Sequence, residues 1–510
     1  MKNYSDYSDY LKKILTSRVY EAAVETPLDK AKNLSARLGN EIYIKREDQQ
    51  PVFSFKIRGA YNKIASLTPS ERARGVIAAS AGNHAQGVAL SAKKLGCKAT
   101  IVMPATTPKI KVDAVKALGG EVVLAGESYT DAYNHLLGMI KETGMVFIPP
   151  FDDPMVIAGQ GTIGMEILRQ APRPVEAVFV PIGGGGMAAG VAAYVKSVMP
   201  EVKVIGVQTL DSPGMHESIK NGRVTVMKEV GLFADGTAVK QVGEETFRIC
   251  KDLLDEVLLV SIDEVCSAIK DTFEDTRVLA EPSGALSLAG LKAYARREGL
   301  KGKVLVSVNS GANINFHRLR HVSERTELSE GKESVLAVTI PERPGSFLGF
   351  IRMIKDRSVT EFNYRYGDRS DAHIFVGVET QGLEDRQKLI QGLVDGGMPV
   401  TDLTDDEVAK LHIRYMVGGR APEVDNERVF TFEFPEAPGA LHRFLEDLRT
   451  RWSITLFHYR NHGADYGRIL VGISVPPKDN ADLDAFLNRS GYVHREFTDN
   501  PGYKMFLGGD

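Results

Sequence analysis

Cysteine is scarce in this chain of 510 residues. The three present, Cys97, Cys250 and Cys266, have no CxxC or Cys/His ligand spacing, and their odd number argues against a disulfide framework. A reducing cytoplasm is the expected compartment, and no motif assigns a metal. Excess charge of either sign is missing as well: 63 Lys and Arg against 66 Asp and Glu leave a net charge of -3. That balance favours neither nucleic acid nor an anionic membrane as partner. No apolar run is long enough to span a bilayer, and the N-terminal segment carries acids where a signal peptide needs a continuous apolar stretch. What is present is ordinary globular material, 43% hydrophobic and 25% charged, long enough for roughly three or four domains.

From Gly75 to about Val207, short β-branched runs such as Val76 to Ala79 and Thr100 to Met103 alternate with helical stretches such as His84 to Leu95. This order predicts βα units around a parallel sheet. Thr68-Pro69-Ser70-Glu71 supplies an N-cap, a first-turn proline and a capping-box acid. Thr107-Pro108 repeats the first two signals, and Gly96 and Gly119 are plausible helix stops. Later strands are expected at Ala177 to Val180, Val204 to Val207 and Val304 to Val308, after which His317 to Lys332 turns polar and reads as a surface linker. Beyond it lies a repeat. Thr339-Ile340-Pro341-Glu342-Arg343-Pro344-Gly345 answers Glu433-Phe434-Pro435-Glu436-Ala437-Pro438-Gly439, and Phe362-Asn363-Tyr364-Arg365 answers Phe457-His458-Tyr459-Arg460. Each copy reads strand, helix, strand, strand, helix, strand, the order of a ferredoxin-like sandwich. In the first copy these run Val335 to Ile340, Ser346 to Lys355, Val359 to Tyr366, Ile374 to Glu379, Arg386 to Val394 and Val400 to Leu403.

Three loops sit where ligands of open α/β sheets collect, at the carboxyl ends of strands. Gly183-Gly184-Gly185-Gly186-Met187 lies between a strand and a helix, where residues without Cβ let backbone N–H groups approach an anion. Walker A needs a Lys-Ser or Lys-Thr after the glycines, which is absent. Gly184, Gly186 and Ala189 satisfy a dinucleotide pattern, but the next strand ends in Gln208-Thr209 where a ribose-binding acid is required. Ser80-Ala81-Gly82-Asn83-His84 and Ser310-Gly311-Ala312-Asn313 form two further turns; Ser and Asn are also common helix caps. Upstream, Ser54-Phe55-Lys56-Ile57-Arg58-Gly59-Ala60 places one lysine in an apolar setting, where burial disfavours the ammonium and leaves an amine able to attack a carbonyl. The rival reading makes Lys45, Arg46, Lys56 and Arg58 a basic surface edge.

Together SFKIRGA, SAGNHAQG, the tetraglycine loop, AEPSGA at Ala280 to Ala285 and SGAN resemble the pyridoxal-phosphate (PLP) enzymes of the tryptophan-synthase-β fold, in particular the threonine/serine dehydratases. The tail is similar to the paired ACT-like effector domains of the biosynthetic members. The resemblance implies an α/β protein of PLP fold type II, two open α/β subdomains with mainly parallel sheets, followed by two ferredoxin-like ACT-type α+β domains. The expected boundaries are 1–320 for the catalytic part (smaller subdomain roughly 50–150), 321–333 for a linker, 334–405 and 428–510 for the ACT-like copies, and 406–427 for a connection. It also implies that Lys56 holds PLP as an imine and later moves the substrate Cα proton. Asn83 would meet the ring 3-oxygen, Gly183 to Met187 the phosphate, and Ser310 the pyridine nitrogen. Phe55 would pack on one cofactor face and Glu281, otherwise a helix-cap acid, would steer the ring.

Ser80, Gly82, Asn83 and His84 would receive the substrate carboxylate. The implied reaction takes L-threonine to 2-oxobutanoate and ammonia, and L-serine to pyruvate, in a homotetramer. Isoleucine would inhibit and valine oppose it at the tail positions Tyr364 and Tyr459, whose plainer reading is a cross-strand aromatic pair. The alternatives are another enzyme of this fold, such as a serine dehydratase or racemase, a dinucleotide-dependent oxidoreductase with an amino-acid-sensing tail, and a catalytically silent sensor.

Overall fold

Ten strands of the first part carry the β-branched runs, and their pairing follows from the βα alternation. They are β1 (Leu28–Lys30), β2 (Glu41–Arg46), β3 (Val76–Ala79), β4 (Ala99–Met103), β5 (Glu121–Leu124), β6 (Val146–Phe147), β7 (Ala177–Pro181), β8 (Lys203–Thr209), β9 (Glu256–Val260) and β10 (Val304–Asn309). This computed structural model describes residues 7–507 apart from 173, 232, 317, 330, 355–356, 368–370, 407–408, 410–412, 417, 436–441, 443, 447–451 and 461–465. The chain forms two compact units, Met1–Thr326 and Glu327–Asp510. In the first, one sheet has the order β1-β2-β10-β7-β8-β9 and the other β5-β4-β3-β6. All neighbours are parallel except β1 against β2. Crossover helices therefore cover the sheets, and β3, β4, β7 and β10 are buried along their whole length.

Helix boundaries follow the capping chemistry in one place and depart from it in another. Thr68 and Glu71 close a reciprocal capping box ahead of the helix Pro69–Arg74. Thr107 does not cap: Pro108 is extended, with ψ 137°, and the helix Lys109–Ala117 begins without a side-chain cap bond. The stretch 321–333, expected as a linker, is helical through Ser329, because Val322 packs into the apolar core and Arg325 bonds Asp263 at 2.7 Å. The helix runs Arg318–Ser329 and the next strand starts at Glu333.

In the second unit the strands are β11 (Glu333–Pro341), β12 (Val359–Arg365), β13 (Asp371–Glu379), β14 (Val400–Asp402), β15 (Glu427–Pro435), β16 (Ser453–Arg460), β17 (Tyr466–Ser474) and β18 (Val493–Glu496). Helices Ser346–Ile354 and Leu383–Asp395 belong to the first copy, and Asn480–Arg489 to the second. Lys355 and the repeat landmarks Glu436 to Gly439 lie outside the described residues. The order β14-β11-β13-β12-β16-β17-β15-β18 is two ferredoxin-like sheets merged through β12 and β16, which pair antiparallel. Tyr364 and Tyr459 do not face each other: the register sets Phe362 opposite Tyr459 and Tyr364 opposite Phe457.

The expected basic edge is instead a buried ion network. Arg58 gives Nε and Nη2 to Glu47 at 2.7 Å each, and Nη1 and Nη2 to Glu166 at 2.6 and 2.9 Å. Lys45 Nζ stands 2.6 Å from Glu166 as well, and none of the four side chains is exposed. Two cations thus face two carboxylates, and hydrogen bonds from Arg58 to Thr162 and from Lys45 to Gln170 complete the set. Removing Glu166 leaves both cations under-compensated. Glu166→Leu is expected to lower the unfolding free energy by ~3–5 kcal/mol in a urea titration, and a loss below ~1 kcal/mol would show that the network does not hold this region together.

Candidate active site

Lys56 opens the helix Lys56–Ala65, and the chain entering it is stitched to the loop after β10. Phe55 N–H donates to the Ser310 carbonyl at 3.2 Å, Ala312 N–H donates to the Phe53 carbonyl at 2.9 Å, and Ser54 bridges Gly311. Two segments far apart in sequence are therefore fixed side by side. The Lys56 amine donates to the Pro150 carbonyl at 2.9 Å and lies 5.1 Å from the centre of the Phe55 ring. Part of the side chain reaches the open site, but the amine is surrounded by protein. That burial pushes it down to about 8, against the opposing pull of Glu281.

The turn after β3 brings Ser80 to His84 to the same place. Ser80 Oγ accepts from Gly82 N–H at 3.2 Å, and a Cβ built on Gly82 would meet nothing within 4 Å, so the turn faces free space. His84 Nε2 lies 2.8 Å from the Ile148 carbonyl, which makes it the protonated nitrogen, and burial with the nearby Lys56 charge pushes the ring down to about 3. His84 is consequently neutral and adds no cation. Asn83 begins the helix Asn83–Lys94, and its Nδ2 donates to Glu281 Oε1 at 2.7 Å. Glu281 occupies the N-cap position of the helix Pro282–Arg297 without a side-chain cap bond, so the helix-cap reading of its carboxyl does not hold. Burial and then Asp235 push that carboxyl up to about 7, opposed by donors from Asn83 and the Asn313 backbone.

The tetraglycine loop joins β7 to the helix Gly186–Val198. Among the described residues, the N–H groups of Gly183, Gly184 and Gly185 have no acceptor in the protein. The first-turn N–H groups of Gly186 and Met187 add to them at the positive end of the helix. Side chains are excluded by packing: a Cβ on Gly184 would come 2.2 Å from Phe151 Cδ1, and one on Gly185, at φ 100°, 2.8 Å from Thr246 Cβ. Thr246 Oγ1 fixes the loop by donating to the Gly184 carbonyl at 2.6 Å. Gln208 is engaged elsewhere, accepting from Met215 and His216 N–H at 2.9 and 3.0 Å, which removes the position a dinucleotide ribose needs.

Ser310 is buried at the end of β10, its hydroxyl donating to the Ser283 carbonyl at 3.2 Å. Asn313, quoted in the SGAN motif but given no part there, donates its Nδ2 to Asn83 Oδ1 at 2.7 Å and to the Val52 carbonyl at 2.9 Å. Phe151, Thr246 and Pro150 also border the site; no motif marks them, because a packing ring and a backbone carbonyl leave no residue-type signature. Tyr364 and Tyr459 are in the second unit, 2% and 3% exposed. The Tyr364 hydroxyl donates to Glu342 and its ring stacks edge-on against Phe347 at 4.8 Å.

Comparison with known proteins places these features in context. Residues 19–311 match the family described as "Pyridoxal-phosphate dependent enzyme", and residues 324–413 and 418–507 each match "C-terminal regulatory domain of Threonine dehydratase". The chain is 60% identical over 502 residues to the L-threonine dehydratase biosynthetic IlvA of Burkholderia multivorans, covering 98% of this chain and 99% of that protein. It is 53% identical over 503 residues to the protein of that name from Escherichia coli, with 98% of each covered. Among solved structures, the processed form of threonine deaminase isoform 2 from Solanum lycopersicum aligns with a TM-score of 0.62 at 50% identity, over 63% of this chain and 93% of that one.

The residues present fit pyridoxal phosphate: an amine with a depressed proton affinity, and a run of unpaired N–H groups on a loop too tightly backed by Phe151 and Thr246 to carry side chains. Gly184→Val should weaken PLP binding by ~10-fold or more, at least ~1.4 kcal/mol, in a fluorescence titration; an unchanged affinity would place the phosphate elsewhere. Below its pKa Lys56 is protonated and cannot attack an aldehyde. Borohydride trapping of PLP at Lys56 in cofactor-free protein should therefore rise with pH through about 8, and a midpoint at the ordinary lysine value of 10.5 would show that the amine is not desolvated.

Proposed function

Because the chain belongs to the pyridoxal-phosphate-dependent threonine dehydratases with a C-terminal regulatory domain, we propose that it converts L-threonine to 2-oxobutanoate and ammonia, the first step of isoleucine biosynthesis, and also L-serine to pyruvate. The observation that carries this reading is the Lys56 amine, held by the Pro150 carbonyl and kept partly uncharged where the strand-end loops converge.

When bound, pyridoxal phosphate acidifies the substrate Cα–H and so prepares loss of the neighbouring hydroxyl. The protein's part is to hold and to move protons. Gly183 to Met187 offer their N–H groups to the phosphate, with the positive end of the helix Gly186–Val198 behind them. Asn83, whose Nδ2 donates to Glu281, would serve the ring 3-oxygen, and the Ser310 hydroxyl, which donates to the Ser283 carbonyl, would serve the ring nitrogen. A hydroxyl there, in place of a carboxylate, would leave that nitrogen largely unprotonated and so restrain transamination. Phe55, whose ring lies beside the Lys56 amine, would cover one face and Glu281 would border the ring. Ser80, Gly82, Asn83 and His84 receive the substrate carboxylate in the open turn, where the neutral His84 adds no competing charge. Lys56 Nζ takes the proton from Cα.

Isoleucine as inhibitor and valine as its opponent belong to the same proposal, together with a homotetramer in the cytoplasm. The free thiols of Cys97, Cys250 and Cys266 agree with a reducing compartment. The effector reading is supported by a cleft in the second unit lined by Glu342, Arg343, Phe347, Leu348, Trp452 and Ile454, onto whose Glu342 the Tyr364 hydroxyl donates. A carboxylate and a guanidinium beside an apolar lining match the chemistry of a zwitterion with a branched side chain, for which this narrow cleft would have to open. Tyr459 does not line this cleft; it holds the corresponding place in the repeat of the second copy, whose residues 436–441 lie outside the described residues. An effector acts only by binding two states unequally.

PLP-loaded protein should form 2-oxobutanoate from threonine, and Lys56→Ala should lower turnover by ~1000-fold or more, about 4 kcal/mol of barrier. No keto acid from loaded protein would overturn the assignment. Glu342→Gln should raise the isoleucine concentration for half-inhibition by ~10-fold while leaving uninhibited turnover intact, and an unshifted curve would remove the effector from this cleft.

A further inference from the structure

One polar residue at this site is tied to Asn83, Val52 and Glu281 yet has no part in the reaction described. Asn313 Nδ2 lies 2.9 Å from the Val52 carbonyl and 2.7 Å from Asn83 Oδ1, and the Asn313 backbone N–H donates to Glu281. We propose that Asn313 is a positioning residue that fixes which way the Asn83 amide faces, and thereby keeps an Asn83 N–H turned toward the bound cofactor.

One partner of Asn313 has a fixed hydrogen-bonding role. A backbone carbonyl only accepts, so the Asn313 atom facing Val52 must be the NH2 group. The same nitrogen faces Asn83, which must therefore present its oxygen there. The Asn83 nitrogen is then committed to the opposite side, where it gives one proton to Glu281 at 2.7 Å and keeps a second for a ligand. Glu281 does not fix this choice alone. Its carboxyl is held up near 7, and a neutral carboxyl donates as readily as it accepts, so it can satisfy either face of an amide. Val52 also anchors the geometry to the chain leading into Lys56, since the neighbouring Phe53 and Phe55 bond the loop that carries Asn313.

This inference rests on the reading that Asn83 faces the cofactor ring, and the test separates the two. PLP affinity is measured by titrating cofactor-free protein, without turnover, for the parent, Asn83→Ala, Asn313→Ala and the double variant. Asn313→Ala should weaken PLP binding by ~10-fold, and adding it to Asn83→Ala should change nothing further, because a residue acting through Asn83 has no effect once Asn83 is gone. Effects that add, or an Asn313→Ala protein that binds PLP like the parent, overturn the proposal. An Asn83→Ala protein with parental affinity overturns the ring contact itself and the proposal with it. Should Asn313→Ala fail to fold by circular dichroism, Asn313→Ser, whose shorter hydroxyl cannot reach both Val52 and Asn83, carries the same cycle with the same expected non-additivity.

Discussion

Burying a cation without a partner costs several kcal/mol, and the helix Lys56–Ala65 places two within its first turn. Arg58 is given the carboxylates of both Glu47 and Glu166 and stays charged. Lys56 is given a carbonyl and, among the described residues, no ion pair, and burial pushes its amine down to about 8 against the field of Glu281. One cation therefore holds the helix to the body while the other is free to exchange its proton. Because the two are only two residues apart, the reactive amine inherits the rigidity of the compensated pair.

Around that amine the site is built from backbone more than from side chains. Parallel strands place all their carboxyl ends on one side, and the turns after β3, β7 and β10 leave N–H groups or short polar groups there. The packing of Phe151 and Thr246 against the tetraglycine loop explains why that loop lacks Cβ atoms: the space beside the chain is already taken, and the N–H groups of Gly183 to Gly185 stay without a protein acceptor among the described residues.

Much of this was legible beforehand, where the signal is local. Strand positions such as Val76 to Ala79, the Thr68 capping box and the strand-helix order of the first tail copy, Val335 to Leu403, depend on neighbouring residues, and the structure has them. The misses are non-local. Nothing near Lys45 or Arg58 announces a carboxylate 108 residues from Arg58, so a basic edge stayed open as a rival reading. The polar stretch after His317 hides Val322, whose burial makes it a helix. The aromatic pair failed on register, which is set by how two whole sheets meet rather than by either tyrosine.

The merged sheet of the second unit has a consequence for what a single chain can sense. Two sensors made from identical subunits must offer the same side chains to both ligands, whatever those ligands are. Here duplication within one polypeptide has let the counterparts diverge: Arg343 answers Ala437, and Asn363 answers His458, while β12 and β16 stay locked in one ladder. A guanidinium in one copy and a methyl group at the matching place in the other differ in charge and reach, so one backbone plan carries two chemically unlike sequences where a symmetric pair of identical subunits would carry one.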